Sequence, residues 1–130
     1  PPSLNLLTIN ALVASDSVLV PLQAEFLPLE GLSQLMLSVK EIRDTANPGL
    51  RFEGIVLTMF DKRNNLSRQV EDDVRDNLKG LVYQSVIPRS VKLSEAPSYG
   101  KSIFDYSPRS KGASAYKALA LEILARHDVN

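Results

Sequence analysis

The run Glu53-Gly54-Ile55-Val56-Leu57-Thr58-Met59-Phe60, followed by NNLSRQVEDDVRDNL over 64–78 and VYQSVI over 82–87, decides the fold. The first run is apolar without alternation, the pattern of a strand covered on both faces in a parallel sheet. In the middle stretch Leu66, Val70, Val74 and Leu78 repeat every four residues, one stripe of a helix. Asn64 or Asn65 can cap its start. The third run reads as a strand stopped by Pro88. Strand, helix and strand in this order make a βαβ unit, which predicts a mostly parallel sheet with right-handed crossovers.

Working outward, Ser17-Val18-Leu19-Val20-Pro21 predicts an earlier strand, again buried on both faces and closed by its proline. Over 29–46 the residues Leu32, Leu35, Val39, Ile42 and Ala46 fall at steps of three and four, and Asn47-Pro48-Gly49 ends that helix. Leu4 to Ala14 predicts a further helix. Downstream, 89–100 shows no clear period and 102–106 is a short separate run. Ser107-Pro108 predicts an N-cap with proline at the first helical position. The final helix then extends to about Arg126, with Tyr116, Leu119, Ala120, Ile123 and Leu124 on its apolar side.

At 130 residues the chain is the size of one domain. Its 44% hydrophobic and 23% charged content is that of a folded globular protein, not a disordered one. Without cysteine, disulfides, thiolate zinc sites and cysteine-ligated iron–sulfur clusters are excluded, which suits a reducing compartment. No apolar run approaches the ~18 residues of a spanning helix. Fifteen basic residues balance fifteen acidic ones, so nucleic-acid binding would need a local patch. The opening Pro1-Pro2-Ser3-Leu4 reads as the middle of a motif and predicts a piece of a longer protein.

In open parallel sheets ligands collect beyond the carboxyl ends of the strands, so the loops after each strand carry the candidates. Thr58-Met59-Phe60-Asp61-Lys62-Arg63-Asn64-Asn65 mixes an apolar face with polar edges, as a purine site does; it also reads as a loop leading into a helix. Ile87-Pro88-Arg89-Ser90-Val91-Lys92 offers free carbonyls to an exocyclic amine and two cations to phosphate, or is an ordinary solvated loop. Arg109 and Lys111 fall in the first turn of the last helix, where the dipole disfavours cations by roughly 0.3–1 kcal/mol each. A bound anion reverses that penalty, and Lys101, Lys92 and Arg89 could complete a basic patch; pairing with Asp105 or Glu95 is the alternative. Glu71-Asp72-Asp73 reads as a solvated helix face, and His127 as a lone histidine near a frayed helix end. No G-x-x-x-x-G-K-[ST] loop occurs, so the chain predicts no phosphate-loop chemistry of its own.

Taken in order, PPSL at 1–4, LTINA at 7–11, ASDSV at 14–18, PLQAE at 21–25, LEGL at 29–32, GIVLTM at 54–59, DKRNNL at 61–66, VIPR at 86–89, LSEAPSYGK at 93–101 and PRSKG at 108–112 resemble the ParA/Soj family of chromosome- and plasmid-partitioning ATPases. The resemblance implies the later half of a P-loop NTPase-like α/β sheet flanked by helices, with residues 1–130 the C-terminal part of one ATPase domain whose phosphate loop lies upstream. It implies a parent that dimerises around ATP and Mg2+, binds DNA without sequence preference, and is stimulated by a ParB-type centromere-binding partner. It further implies a cytoplasmic, nucleoid-associated protein that binds no membrane, with the isolated chain inactive and binding nucleotide weakly. Carried over by position, Pro1 and Pro2 belong to a loop near the γ-phosphate. Met59, Pro88, Arg89 and Ser90 border the adenine, and Lys79, Arg89, Lys92 and Arg109 face DNA phosphates. The family pattern often has Asn at Ser90 and Arg at Lys92.

Rival readings remain at this stage. A membrane-associated cell-division ATPase of the same fold would carry a basic amphipathic tail, whereas the sequence ends His127-Asp128-Val129-Asn130. An iron–sulfur carrier ATPase needs a C-x-x-C. A non-catalytic chain that associates with itself or a partner, through strand edges its other half would cover, is a third.

Overall fold

A computed structural model describes residues 5–25 and 29–127. Helix α1 (Leu6–Ala14) leads into strand β1 (Ser17–Gln23), then α2 (Leu29–Asp44), β2 (Arg51–Phe60), α3 (Asn65–Asn77) and β3 (Val82–Pro88). Short helices α4 (Val91–Glu95) and α5 (Ile103–Tyr106) flank a 3-10 turn at Ala96–Tyr99, and α6 (Lys111–His127) follows. The three strands are parallel in the order β1-β2-β3. Among the described residues no helix is long and apolar enough to cross a membrane.

Alternation along β2 divides the core. Ile55 and Leu57 point to one face, where Val20 and Leu22 of β1 meet Leu32 of α2 and Val70 and Val74 of α3. Val56 points to the other, with Tyr83 and Ile87 of β3 against Leu119 of α6. β2 is therefore buried on both faces, as its unbroken apolar run predicts. β1 corrects its expectation: Val20 and Leu22 are buried, but Leu19 is 40% exposed and Pro21 is exposed. Within the described sheet it pairs on one side only, and the α6-side core is built from β2 and β3.

Local chemistry sets the helix ends. Asn64 caps α3, its side chain accepting the Leu66 N–H at 2.9 Å. The sheet-facing stripe of α3 is Ser67, Val70 and Val74; Leu66, expected on that stripe, is 38% exposed. The α1 end is tied by Asn47, whose amide donates to the carbonyls of Leu12 and Ser15 at 3.0 and 2.8 Å. The start of α6 differs from the Ser107-Pro108 expectation. Ser107 and Pro108 lie in a turn, and it is Ser110 whose hydroxyl accepts the Ala113 N–H at 3.2 Å. The buried stripe of α6 is Gly112, Ala113 and Leu119, with Ala115 and Ile123 partly covered, while Tyr116, Ala120 and Leu124 are exposed.

Two glycines are demanded by close approach. A Cβ on Gly54 would stand 2.6 Å from the Tyr83 ring, and one on Gly112 would stand 2.6 Å from Leu93. Gly112 thus lets the first turn of α6 lie against α4, joining the last helix to the loop after β3.

Candidate functional site

The carboxyl ends of β1, β2 and β3 are tied into one surface. Ala24, just past β1, donates its N–H to Thr58 O at 2.9 Å, and Arg89, just past β3, donates its N–H to Phe60 O at 2.9 Å. Between these two anchored carbonyls sits Met59, with φ 53, a left-handed conformation that a side chain such as methionine rarely adopts. The β2–β3 register slips here: Leu57 is opposite Val86 and Phe60 opposite Pro88, so β2 carries one extra residue. The bulge re-aims Met59 at the rim of the sheet, the place where bulges serve sites.

Beneath the rim lies Ser67, 1% exposed. Its hydroxyl donates to Ala24 O at 3.0 Å and accepts the Asp61 N–H at 3.3 Å. Asp61 folds back on Arg63, accepting its backbone N–H at 3.0 Å and its Nε at 3.2 Å. Those bonds hold the Asp61 carboxyl below its ordinary value. Above the rim the Arg89 guanidinium pairs with the Glu25 carboxylate, 64 residues earlier.

The structure brings Met59, Pro88, Arg89 and Ser90 together at the paired ends of β2 and β3. Ser90 occupies the N-cap position of α4 with no side-chain cap bond, so its hydroxyl is not used by the helix. Pro1 and Pro2 lie outside the described residues. Of the basic candidates, Lys92 is in α4 and Arg109 in the turn before α6, two elements that Leu93 and Gly112 press together. Arg109 therefore precedes the helix rather than lying within its first turn, which Lys111 opens. Lys79 stands apart, in the turn before β3 at the amino end of the sheet.

An aromatic pair lies beside Lys92. Tyr99 and Tyr106 stack at 5.2 Å with 23° between planes, and Lys92 Nζ is 5.8 Å from the Tyr106 ring centre. Tyr106 donates its hydroxyl to Glu95 at 2.6 Å, which, with burial and the Glu95 charge, pushes its pKa up to about 12. Glu95 is thus engaged by tyrosine, and among the described residues none of Lys92, Lys101, Arg109 and Lys111 makes an ion pair. The pairing alternative for Arg109 and Lys111 is not what the chain adopts.

Comparison with known proteins fits this architecture. A family model described as an AAA domain matches residues 1–52. The chromosome partitioning protein ParA of Caulobacter vibrioides is 52% identical over 126 residues, covering 97% of this chain and 47% of that protein. The sporulation initiation inhibitor protein Soj of Bacillus subtilis is 54% identical, covering 96% of this chain and 49% of that one. Over nearly its whole length the chain is similar to ParA/Soj-type partitioning proteins. It spans about half the length of the curated relatives it matches. Among solved structures, cobyrinic acid a,c-diamide synthase from Mycobacterium smegmatis with bound ADP and magnesium superposes with a TM-score of 0.76 at 33% identity, over 99% of this chain and 45% of that one. The chain thus shares the P-loop NTPase-like arrangement of parallel strands flanked by helices.

Periodicity and spacing did not single out Glu25, Ser67 and Glu122. Ser67 carried a signal: it stands three residues before Val70 and seven before Val74, on the true buried stripe. Glu25 and Glu122 carried none, because their partners are 64 and 37–38 residues away.

Proposed function

We propose that this chain supplies the base-binding rim and the DNA-facing surface of an ATP-dependent partitioning ATPase. The observation that carries the reading is the 52% identity to a chromosome partitioning ParA along 97% of the chain. In this reading Met59 and Pro88 pack the adenine face, and Ser90 and the loop backbone read its edge. The phosphates and Mg2+ fall to residues outside the chain, which contains no phosphate loop. The fit is to the base alone: a strained, bulged Met59 beside the uncapped Ser90 hydroxyl offers an apolar face and polar edge, and no cradle for a triphosphate. ATP supplies the energy of a dimerisation cycle, with a ParB-type protein as the stimulating partner and the nucleoid as the location.

DNA contact is assigned to Lys92 and Arg109, with Lys101 and Lys111 beside them, because these exposed cations have no acidic partner among the described residues. Backbone phosphates would provide one, and binding would be insensitive to sequence and steeply salt-dependent. Duplex DNA titrated across salt with a full-length protein carrying this chain tests the reading. ATP-dependent binding is expected, with the slope of log affinity against log salt falling by about 0.9 for each of Lys92→Ala and Arg109→Ala. Binding that ignores ATP, or slopes unchanged in both variants, would overturn it.

A second reading, self-association of this chain, draws on the exposed Leu6, Leu7, Ile9 and Val13 of α1 and Leu19 of β1. Light scattering over a concentration series tests it: a monomer throughout excludes it.

A further inference from the structure

We infer that Glu25 and Arg89 form a brace across the end of β2 that fixes Met59 and thereby sets which nucleobase the rim accepts. The contacts close a circuit. Ala24 N–H holds Thr58 O on one side of Met59, and Arg89 N–H holds Phe60 O on the other, both at 2.9 Å. Glu25 follows Ala24 directly, and its carboxylate meets the Arg89 guanidinium, so the side chains join what the backbone bonds begin. Met59 is enclosed between them in its left-handed conformation. Ser67 secures Ala24 from below through its carbonyl at 3.0 Å.

Two features separate this role from bulk stability and from anion binding. The pair is partly in water, with Arg89 60% and Glu25 29% exposed, and exposed ion pairs contribute little to folding. A cation held by a carboxylate is also a poor phosphate ligand, which sets Arg89 apart from Lys92 and Arg109. What remains for the pair is geometry. Adenine and guanine present opposite donors and acceptors on the same edge, so displacing the groups that read it erodes the preference for one base. Contacts to the shared ribose and phosphates are untouched. Arg89 is therefore a positioning residue.

The inference rests on the base-rim reading above, and the experiment separates the two. ATP and GTP binding are measured by calorimetry on a full-length protein carrying this chain, for Glu25→Gln, Arg89→Gln, Met59→Ala and the exchange Glu25→Arg with Arg89→Glu. Either single neutralisation is expected to lower the ATP-to-GTP affinity ratio by about fivefold or more while leaving Tm within about 2 °C, and the exchange to recover part of the ratio. Met59→Ala lowers ATP affinity if the rim holds the base. A Met59→Ala effect with an unchanged ratio in Glu25→Gln overturns the brace alone, and no effect in Met59→Ala overturns the rim reading and the brace with it. Equal loss of ATP and GTP in Arg89→Gln also overturns the brace, because it makes Arg89 a phosphate ligand.

Discussion

The Glu122 carboxylate accepts the backbone N–H of Ser85 at 2.9 Å, and that of the preceding Gln84 at 2.8 Å. Consecutive N–H groups of a regular strand point to opposite sides, so one carboxylate can take both only where the strand is bulged. β3 is bulged there: Ile55 is opposite Val82 but Leu57 is opposite Val86, leaving two extra residues on β3. Glu122 thus covers part of the β3 edge with a helix side chain, which satisfies two strand donors. Arg126, one turn on, stands 3.6 Å from Glu122 and lays its guanidinium 4.0 Å over the Tyr83 ring.

Partial burial by itself would raise the Glu122 carboxyl, but the bonds from Ser85 and Gln84 and the charge of Arg126 outweigh it and hold the group below its ordinary value. A carboxyl depressed in the folded state stabilises fully above its unfolded pKa, and that contribution is lost as pH falls through the folded value. Glu122→Gln should therefore cost about 1–3 kcal/mol at neutral pH and less near pH 3, flattening the acid limb of stability. Urea unfolding at several pH values measures it, and an equal cost at both ends would contradict the assignment.

Ser67→Ala removes the hydroxyl that serves Ala24 O and Asp61 N in a fully buried position. A loss of about 1–3 kcal/mol is expected from the two groups left unpaired. Hydrogen exchange should show faster exchange at Asp61 before any change at Ile55.

Gly54→Ala forces a methyl to within 2.6 Å of the Tyr83 ring, which is fully buried and cannot swing away. Overpacking of this kind costs about 1–3 kcal/mol. Combined with Tyr83→Leu, the glycine substitution should cost less than it does alone, a non-additivity that a double-mutant cycle reads directly.

Met59 stores backbone strain, so Met59→Gly should stay within about 1 kcal/mol of the unsubstituted protein, the relief offsetting lost packing. Met59→Val, β-branched and ill-suited to positive φ, should be less stable than the glycine variant by about 1–2 kcal/mol. The reverse order in denaturant would contradict the left-handed assignment.

Periodicity made the sheet legible. The four-residue repeat of Val70 and Val74, the apolar run of β2 and the Asn64 cap are local features, and each placed its element to within a residue or two. The α6 start was misread because Ser107-Pro108 and Ser110 are both acceptable caps in sequence, and only the packing of Gly112 on Leu93 selects the second. The segment 89–100 gave no period because α4 and the 3-10 turn are each too short to show one. At the site, Met59 and Pro88 were visible as residues at the carboxyl ends of strands. The brace was not, since Glu25 and Arg89 meet only after three parallel strands have been laid side by side.

The central claim is that the ends of β2 and β3 form the base-binding rim of a partitioning ATPase. Photolabelling a full-length protein carrying this chain with an azido-adenine ATP analogue, followed by peptide mapping, tests it most directly. The account predicts labelling within 58–65 or 87–91, competed by ATP and lost in Met59→Ala. Labelling confined to other segments, or undiminished in Met59→Ala, would contradict it.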